Sequence, residues 1–122
     1  NNPVAAKNLS VILGQKGDLA GAVKYAAVAA EARPEDPDYG YTLAYYQMQN
    51  GQKSESIKTL TNLIKTNPGY LTATSFLADI YLRDGKKQDA IILYENALKL
   101  DGISEQDKLG IQQAIASIQQ SI

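Results

Sequence analysis

The sequence predicts an all-α fold: seven helices arranged as three helical hairpins and a closing helix, an α-solenoid occupying one domain, residues 1–122. Three observations predict it. Gly17, Gly51 and Gly85 recur at intervals of 34 residues. Pro34 and Pro68 keep the same interval. Leu9, Leu43 and Leu77 keep it again, each followed by a small residue, Ser10, Ala44 or Ala78. Turn residues and apolar residues returning in one register are the mark of stacked supersecondary units, each too small to bury its apolar face alone.

The first unit covers residues 3–36. Pro3 suits the first turn of a helix, where its missing amide costs nothing, and Asn2 can cap it. Gly17 ends that helix in the left-handed conformation that a side chain disfavours. A second helix follows, and Pro34-Glu35-Asp36-Pro37 closes the unit, because proline lacks a donor and disfavours helix in the residue before it. The second unit, 37–70, opens on Pro37 with Asp36 as its cap. Before Gly51, Leu43 and Tyr46 share one face while Tyr41, Tyr45 and Met48 form an adjacent stripe; after it, Ile57, Leu60, Leu63 and Ile64 form a second apolar face. In the third unit, 71–103, Leu77, Ile80 and Tyr81 precede Gly85, and Ala90, Ile91, Tyr94, Ala97 and Leu98 follow it. Gly102 stands where the earlier units have their closing proline and marks the end of the array.

The closing segment, 104–121, is expected to be helical from Glu105 to about Gln120. Ser104-Glu105-Gln106-Asp107 resembles a capping box with aspartate in the glutamate place. Ile111, Ile115, Ile118 and Ile122 form a stripe that can cover the apolar flank of the last hairpin, as a stacked array requires.

Composition narrows the function. The 12 Lys+Arg and 13 Asp+Glu give a net charge of −1, and the eight Tyr are not interleaved with basic residues. Nucleic acid binding needs a concentrated positive face, so it is not expected. No apolar run approaches the ~20 residues needed to span a bilayer. The absence of Cys and His removes thiolate and imidazole chemistry, with their metal and haem sites. No cofactor and no catalytic activity are expected. Asn1-Asn2-Pro3 does not look like a signal peptide and reads as a cut edge, of an excised domain or a processed product. A soluble chain is expected, in a cytoplasmic or a periplasmic compartment.

These columns resemble the tetratricopeptide repeat family, whose 34-residue unit has a Leu-small pair, an aromatic, a glycine turn, an alanine, an aromatic, an alanine and a closing proline. The third unit matches best, through Leu77-Ala78, Tyr81, Gly85, Ala90, Tyr94 and Ala97. The first supplies Leu9-Ser10, Leu13, Gly17, Ala22, Ala29 and Pro34, and the second Leu43-Ala44, Gly51, Ser56, Leu60 and Pro68. The resemblance covers residues 3–102. Departures are local. The bulky aromatic usual near the start of each first helix is replaced by Ala6, Gly40 and Thr74; Gln47 stands where Tyr81 does, Leu63 where alanine is usual, and Ala26 where Tyr94 does. Altered packing and superhelix pitch are expected at these places.

The resemblance implies a right-handed superhelix whose first helices line a concave groove that binds a peptide or helix of a partner protein. The positions that would face it are Lys7, Val11 and Gln15; then Asp38, Tyr41, Tyr45, Met48 and Gln49; then Thr72, Ser75, Asp79, Leu82 and Arg83. Tyr41, Tyr45 and Met48 are the most informative, since tyrosine buries a large area at low entropy cost and methionine adapts its shape. Tyr39 and Tyr46 are expected in the core instead. One subclass of the family grips a C-terminal carboxylate with Lys, Asn and Arg side chains. Only Lys7 matches that clamp; its other places hold Val11, Thr42, Thr72 and Phe76, and Asp79 would repel a carboxylate.

Other readings have weaker support. Glu35, Asp36 and Asp38 lack the spacing of a calcium loop and read as a solvated capping turn. Asn8-Leu9-Ser10 fits a glycosylation sequon but falls within a helix beside a leucine read as core, and Lys86-Lys87 is a solvated pair. The exposed tyrosines and the Ile-rich closing helix also suit self-association, and the chain could be a docking appendage of a larger enzyme or of a secretion or assembly complex.

Overall fold

A computed structural model describes residues 2–121 of the chain. Its element order is α1 (Pro3–Gln15), α2 (Leu19–Ala32), α3 (Pro37–Gln49), α4 (Lys53–Thr66), α5 (Leu71–Arg83), α6 (Lys87–Leu98) and α7 (Glu105–Gln120), and the described residues contain no strand. The expected all-α fold of three helical hairpins and a closing helix is thus observed. Ile122, the last member of the isoleucine stripe, lies outside the described residues. The chain divides into two compact units, Asn1–Leu63 and Ile64–Ile122.

One turn is built three times. Asp18 N–H donates to the Leu13 carbonyl at 2.9 Å, Gln52 to Gln47 at 2.8 Å and Lys86 to Tyr81 at 2.8 Å, so each bond is the previous one moved 34 residues along. This six-to-one closure requires a left-handed residue inside it. Gly17, Gly51 and Gly85 supply it with φ of 87°, 77° and 76°. Helix starts follow the sequence signals: the Asn2 side chain accepts from Val4 N and Ala5 N, Asp36 from Asp38 N, and Ser104 from Asp107 N. α5 has no side-chain cap, and Leu71 takes the place of Pro3 and Pro37.

Each hairpin closes on its small residues. Ser10 and Ala22, Ala44 and Ser56, and Ala78 and Ala90 are all fully buried at 0% exposure, which lets the two backbones of each hairpin approach closely. In the second hairpin the approach is close enough for Ser56 Oγ to donate to the Ala44 carbonyl at 2.8 Å.

The departures from the repeat pattern are compensated in space within the first unit. Ala6 leaves room beside Ala29, and Tyr39 of α3 fills it. Ala26 leaves room beside Ala22, and Tyr46 fills that; the Tyr46 ring also lies where a side chain on Gly14 would have to go. Gly40 and Leu63 form the third exchange, since a Cβ on Gly40 would sit 2.6 Å from Leu63 Cδ2. In the second unit the corresponding position is Thr74. It is buried but borders a cleft of about 130 Å³ with Ile64, Pro68, Leu93 and Leu100.

The leucine column is not uniform. Leu77 is 2% exposed, but Leu9, read from the sequence as core, is 37% exposed. Leu43 explains the difference: it packs against the cluster of Ala22 and Ala26 on α2, the second helix of the preceding hairpin. Leu9 is on α1, and among the described residues no helix lies against it as α2 lies against Leu43. The second unit has a cluster of Ala78, Ala90, Ile91, Tyr94, Ala97, Ile111 and Ile118, which joins α5 and α6 to α7. Ile111 and Ile118 are buried and Ile115 half-buried, so the isoleucine stripe covers the last hairpin as expected.

Candidate partner-binding surface

In the first unit the tyrosine stripe of α3 is divided between core and surface by helix geometry. Tyr39 and Tyr46 are each 9% exposed, whereas Tyr45 is 40% exposed and Tyr41 and Met48 are half-buried. Tyr45 and Tyr46 meet edge to face, with ring centroids 5.1 Å apart and an interplanar angle of 79°. The buried ring therefore props the exposed one. Burial, and secondarily the neighbouring Tyr45, raises the Tyr46 phenol above its ordinary pKa. Lys7 Nζ sits 5.9 Å from the centre of the Tyr39 ring, in cation–π range. Asp38, Gln15 and Gln49 are exposed, while Val11 is half-buried against the Ala22–Ala26–Tyr46 cluster.

In the second unit Thr72, Ser75, Asp79 and Arg83 lie exposed along α5, and Leu82 packs against the core cluster. Ser75 and Asp79 are one turn apart on α5, and both act on the phenol of Tyr94 on α6. Burial raises the Tyr94 phenol above its ordinary pKa, the Ser75 hydrogen bond opposes that, and the Asp79 carboxylate adds to it. Tyr94 forms part of a cleft of about 200 Å³ between α5 and α7. Leu71 and Ser75 line one side, and Asp107, Gly110, Ile111 and Ala114 the other.

The sequence pattern puts Tyr94 in the core and reads α7 as a covering helix that also suits self-association; it does not reveal this cleft. Tyr94 is indeed only 8% exposed, yet its hydroxyl reaches a polar surface. The available signal was Gly110, a helix-interior glycine outside every repeat column. Among the described residues no group of acidic side chains is placed to hold a metal ion, and no helix is long and apolar enough to cross a membrane.

Comparison with known proteins places these features. The chain is 29% identical over 84 residues to the TPR repeat-containing thioredoxin TTL4 of Arabidopsis thaliana, an alignment that covers 69% of this chain and 12% of that protein. The chain therefore spans about an eighth of that relative. The Yersinia enterocolitica type III secretion chaperone SycD, solved with a peptide of the translocator YopD, superposes with a TM-score of 0.73 at 15% identity, covering 94% of this chain and 90% of that one. The first TPR of Spaghetti (RPAP3), bound to the HSP90 peptide SRMEEVD, gives 0.68 at 18% identity, with 93% and 95% covered. The Sgt2 TPR domain of Aspergillus fumigatus gives 0.71 at 18% identity, with 96% and 79% covered. The tetratricopeptide repeat profile itself matches residues 41–107. With that profile matched over more than half its length, and the 34-residue turn and small-residue columns realised in its hairpins, the chain belongs to the tetratricopeptide repeat family.

Proposed function

We propose that the chain is a protein-interaction module that holds a segment of a partner protein on the first helices of its hairpins and carries out no chemistry itself. The observation that carries this reading is the tyrosine stripe: Tyr45 is 40% exposed and braced by a buried ring, with Tyr41 and Met48 beside it. A polar-tipped aromatic that is already ordered loses little entropy on binding, which is why such residues concentrate interface energy. Two structures of the same fold hold peptides, the translocator peptide on SycD and the HSP90 peptide on the RPAP3 repeat. The carboxylate clamp expected of an acidic-tail binder is missing here apart from Lys7, so a different segment chemistry is called for.

The test is capture of partners from a native extract by wild type and by Tyr41→Ala/Tyr45→Ala. Loss of ~2 kcal/mol or more of binding energy, with the helical signal intact, is expected. A recovery unchanged by the double substitution would refute the assignment.

A second reading has its own support. Val4, Leu9, Ile12 and Val28 in the first unit are 54%, 37%, 46% and 36% exposed, and Leu9 and Ile12 share a face of α1. That surface suits either another copy of the chain or further sequence of a longer protein that uses this array as a docking appendage. A mass that stays monomeric in light scattering across a wide concentration range would rule out the self-association.

A further inference from the structure

We infer that the cleft between α5 and α7 takes the side chain of a lysine or arginine from the bound partner segment. The inference rests on reading the first-helix surface as the binding face, and adds to it the chemistry of one partner residue.

Three features of the cleft argue for that occupant. The first is charge. Asp107 lines the cleft and Asp79 acts on the Tyr94 phenol that lines it. Among the described residues neither carboxylate takes part in an ion pair. Lys108 is held instead by Glu105 at 3.2 Å, and Arg83, one turn beyond Asp79, forms no bridge to it. Hydroxyl oxygens from Ser75 and Tyr94 line the same cleft as the Asp107 carboxylate and add neutral acceptors to it. An ammonium or guanidinium, which only donates, is the complementary group.

The second feature is the wall. Leu71, Ile111 and Ala114 give the cleft an apolar side beside its polar one. A lysine or arginine needs both, since its methylene stem buries readily while its head keeps polar contacts. The volume of about 200 Å³ is below the ~300 Å³ at which pockets for drug-sized ligands begin, and suits a single long side chain rather than a helix.

The third feature is Gly110. It lies inside α7, where glycine costs ~1 kcal/mol relative to alanine. Its φ is not positive and a Cβ there would meet nothing within 4 Å. Neither backbone conformation nor internal packing therefore requires glycine. What its missing side chain provides is open space on the cleft wall, for a group that comes from outside.

The test uses the whole chain, labelled with ¹⁵N and titrated in two-dimensional NMR. The probes are N-acetyl-lysine amide, N-acetyl-arginine amide and, as an uncharged control, N-acetyl-norleucine amide. Saturable shifts at Ser75, Tyr94 and Gly110 are expected with the two cationic probes and not with norleucine. Asp79→Asn/Asp107→Asn should weaken them about tenfold, and Gly110→Leu should abolish them with the helical signal preserved. Equal shifts with norleucine, or shifts unchanged in the double variant, would overturn the proposal. So would concentration-dependent shifts at the same residues without probe, which would put a second copy there. A captured partner lost by Tyr41→Ala/Tyr45→Ala but retained by Asp79→Asn/Asp107→Asn would sink the cationic cleft alone. One retained by the tyrosine variant would sink the broader reading while the probe titration still judges the cleft.

Discussion

Gly40→Ala is a sharp probe of how this array is packed, because two effects of known size oppose each other there. Gly40 lies in the first turns of α3, and its ideal Cβ would stand 2.6, 3.2 and 3.3 Å from Cδ2, Cγ and Cδ1 of Leu63. Comfortable carbon contacts begin near ~3.5 Å, so the branched end of Leu63 must retreat by on the order of 1 Å. Leu63 is 6% exposed and cannot swing into solvent. Overpacking of this kind costs ~1–3 kcal/mol, while replacing a helical glycine by alanine gains ~1 kcal/mol. The net expectation is a loss of up to ~2 kcal/mol. Gly110→Ala calibrates the gain alone, since nothing lies within 4 Å of its Cβ, and should stabilise by ~1 kcal/mol. Urea unfolding followed by far-ultraviolet circular dichroism reads both. Leu63→Ala alone should cost ~2–5 kcal/mol, and on that background Gly40→Ala should change sign and become stabilising. If Gly40→Ala stabilises the wild-type chain as much as Gly110→Ala does, or if the two substitutions simply add, the exchange of volume between Gly40 and Leu63 is wrong.

Two further predictions concern stability. The phenols of Tyr46 and Tyr94 both lie above the ordinary value of 10.0, chiefly through burial, so folding favours their neutral form. That contribution is complete below pH ~10 and is lost as pH rises through the folded-state values. Denaturant midpoints should therefore fall in alkali, and less steeply in Tyr46→Phe or Tyr94→Phe; an unchanged slope would count against it. Asn2→Ala removes the acceptor of two amide hydrogen bonds at the start of α1 and should cost ~1 kcal/mol, seen as a lower midpoint and faster exchange of the Val4 and Ala5 amides.

Gly17, Gly51 and Gly85 could be assigned from the sequence because a left-handed turn residue is a local demand, satisfied by the backbone of five or six neighbours. The caps at Asn2, Asp36 and Ser104 were legible for the same reason. So were Ser10, Ala22, Ala44, Ser56, Ala78 and Ala90, since a repeated small residue signals a repeated close approach. Local rules did less well with Leu9, whose exposure depends on whether another hairpin lies against it. They could not show that Tyr46, separated by 20 residues from Ala26, occupies the space an aromatic at position 26 would fill.

The sequence by itself determined the architecture: the period, the hairpin turns, the helix starts and the covering role of the last helix all follow from short-range chemistry repeated in register. Only the tertiary structure decided that Tyr39 and Tyr46 pack into the space beside Ala6 and Ala26, and that α5, α6 and α7 border a cleft lined by the Asp107 carboxylate. Tyr94 is buried by every local criterion, yet its hydroxyl hydrogen-bonds Ser75 and its ring lines a cleft that Gly110 borders from α7. Volume and charge are shared between segments far apart in the chain, and a pattern read along one segment carries no record of what another brings to the same space.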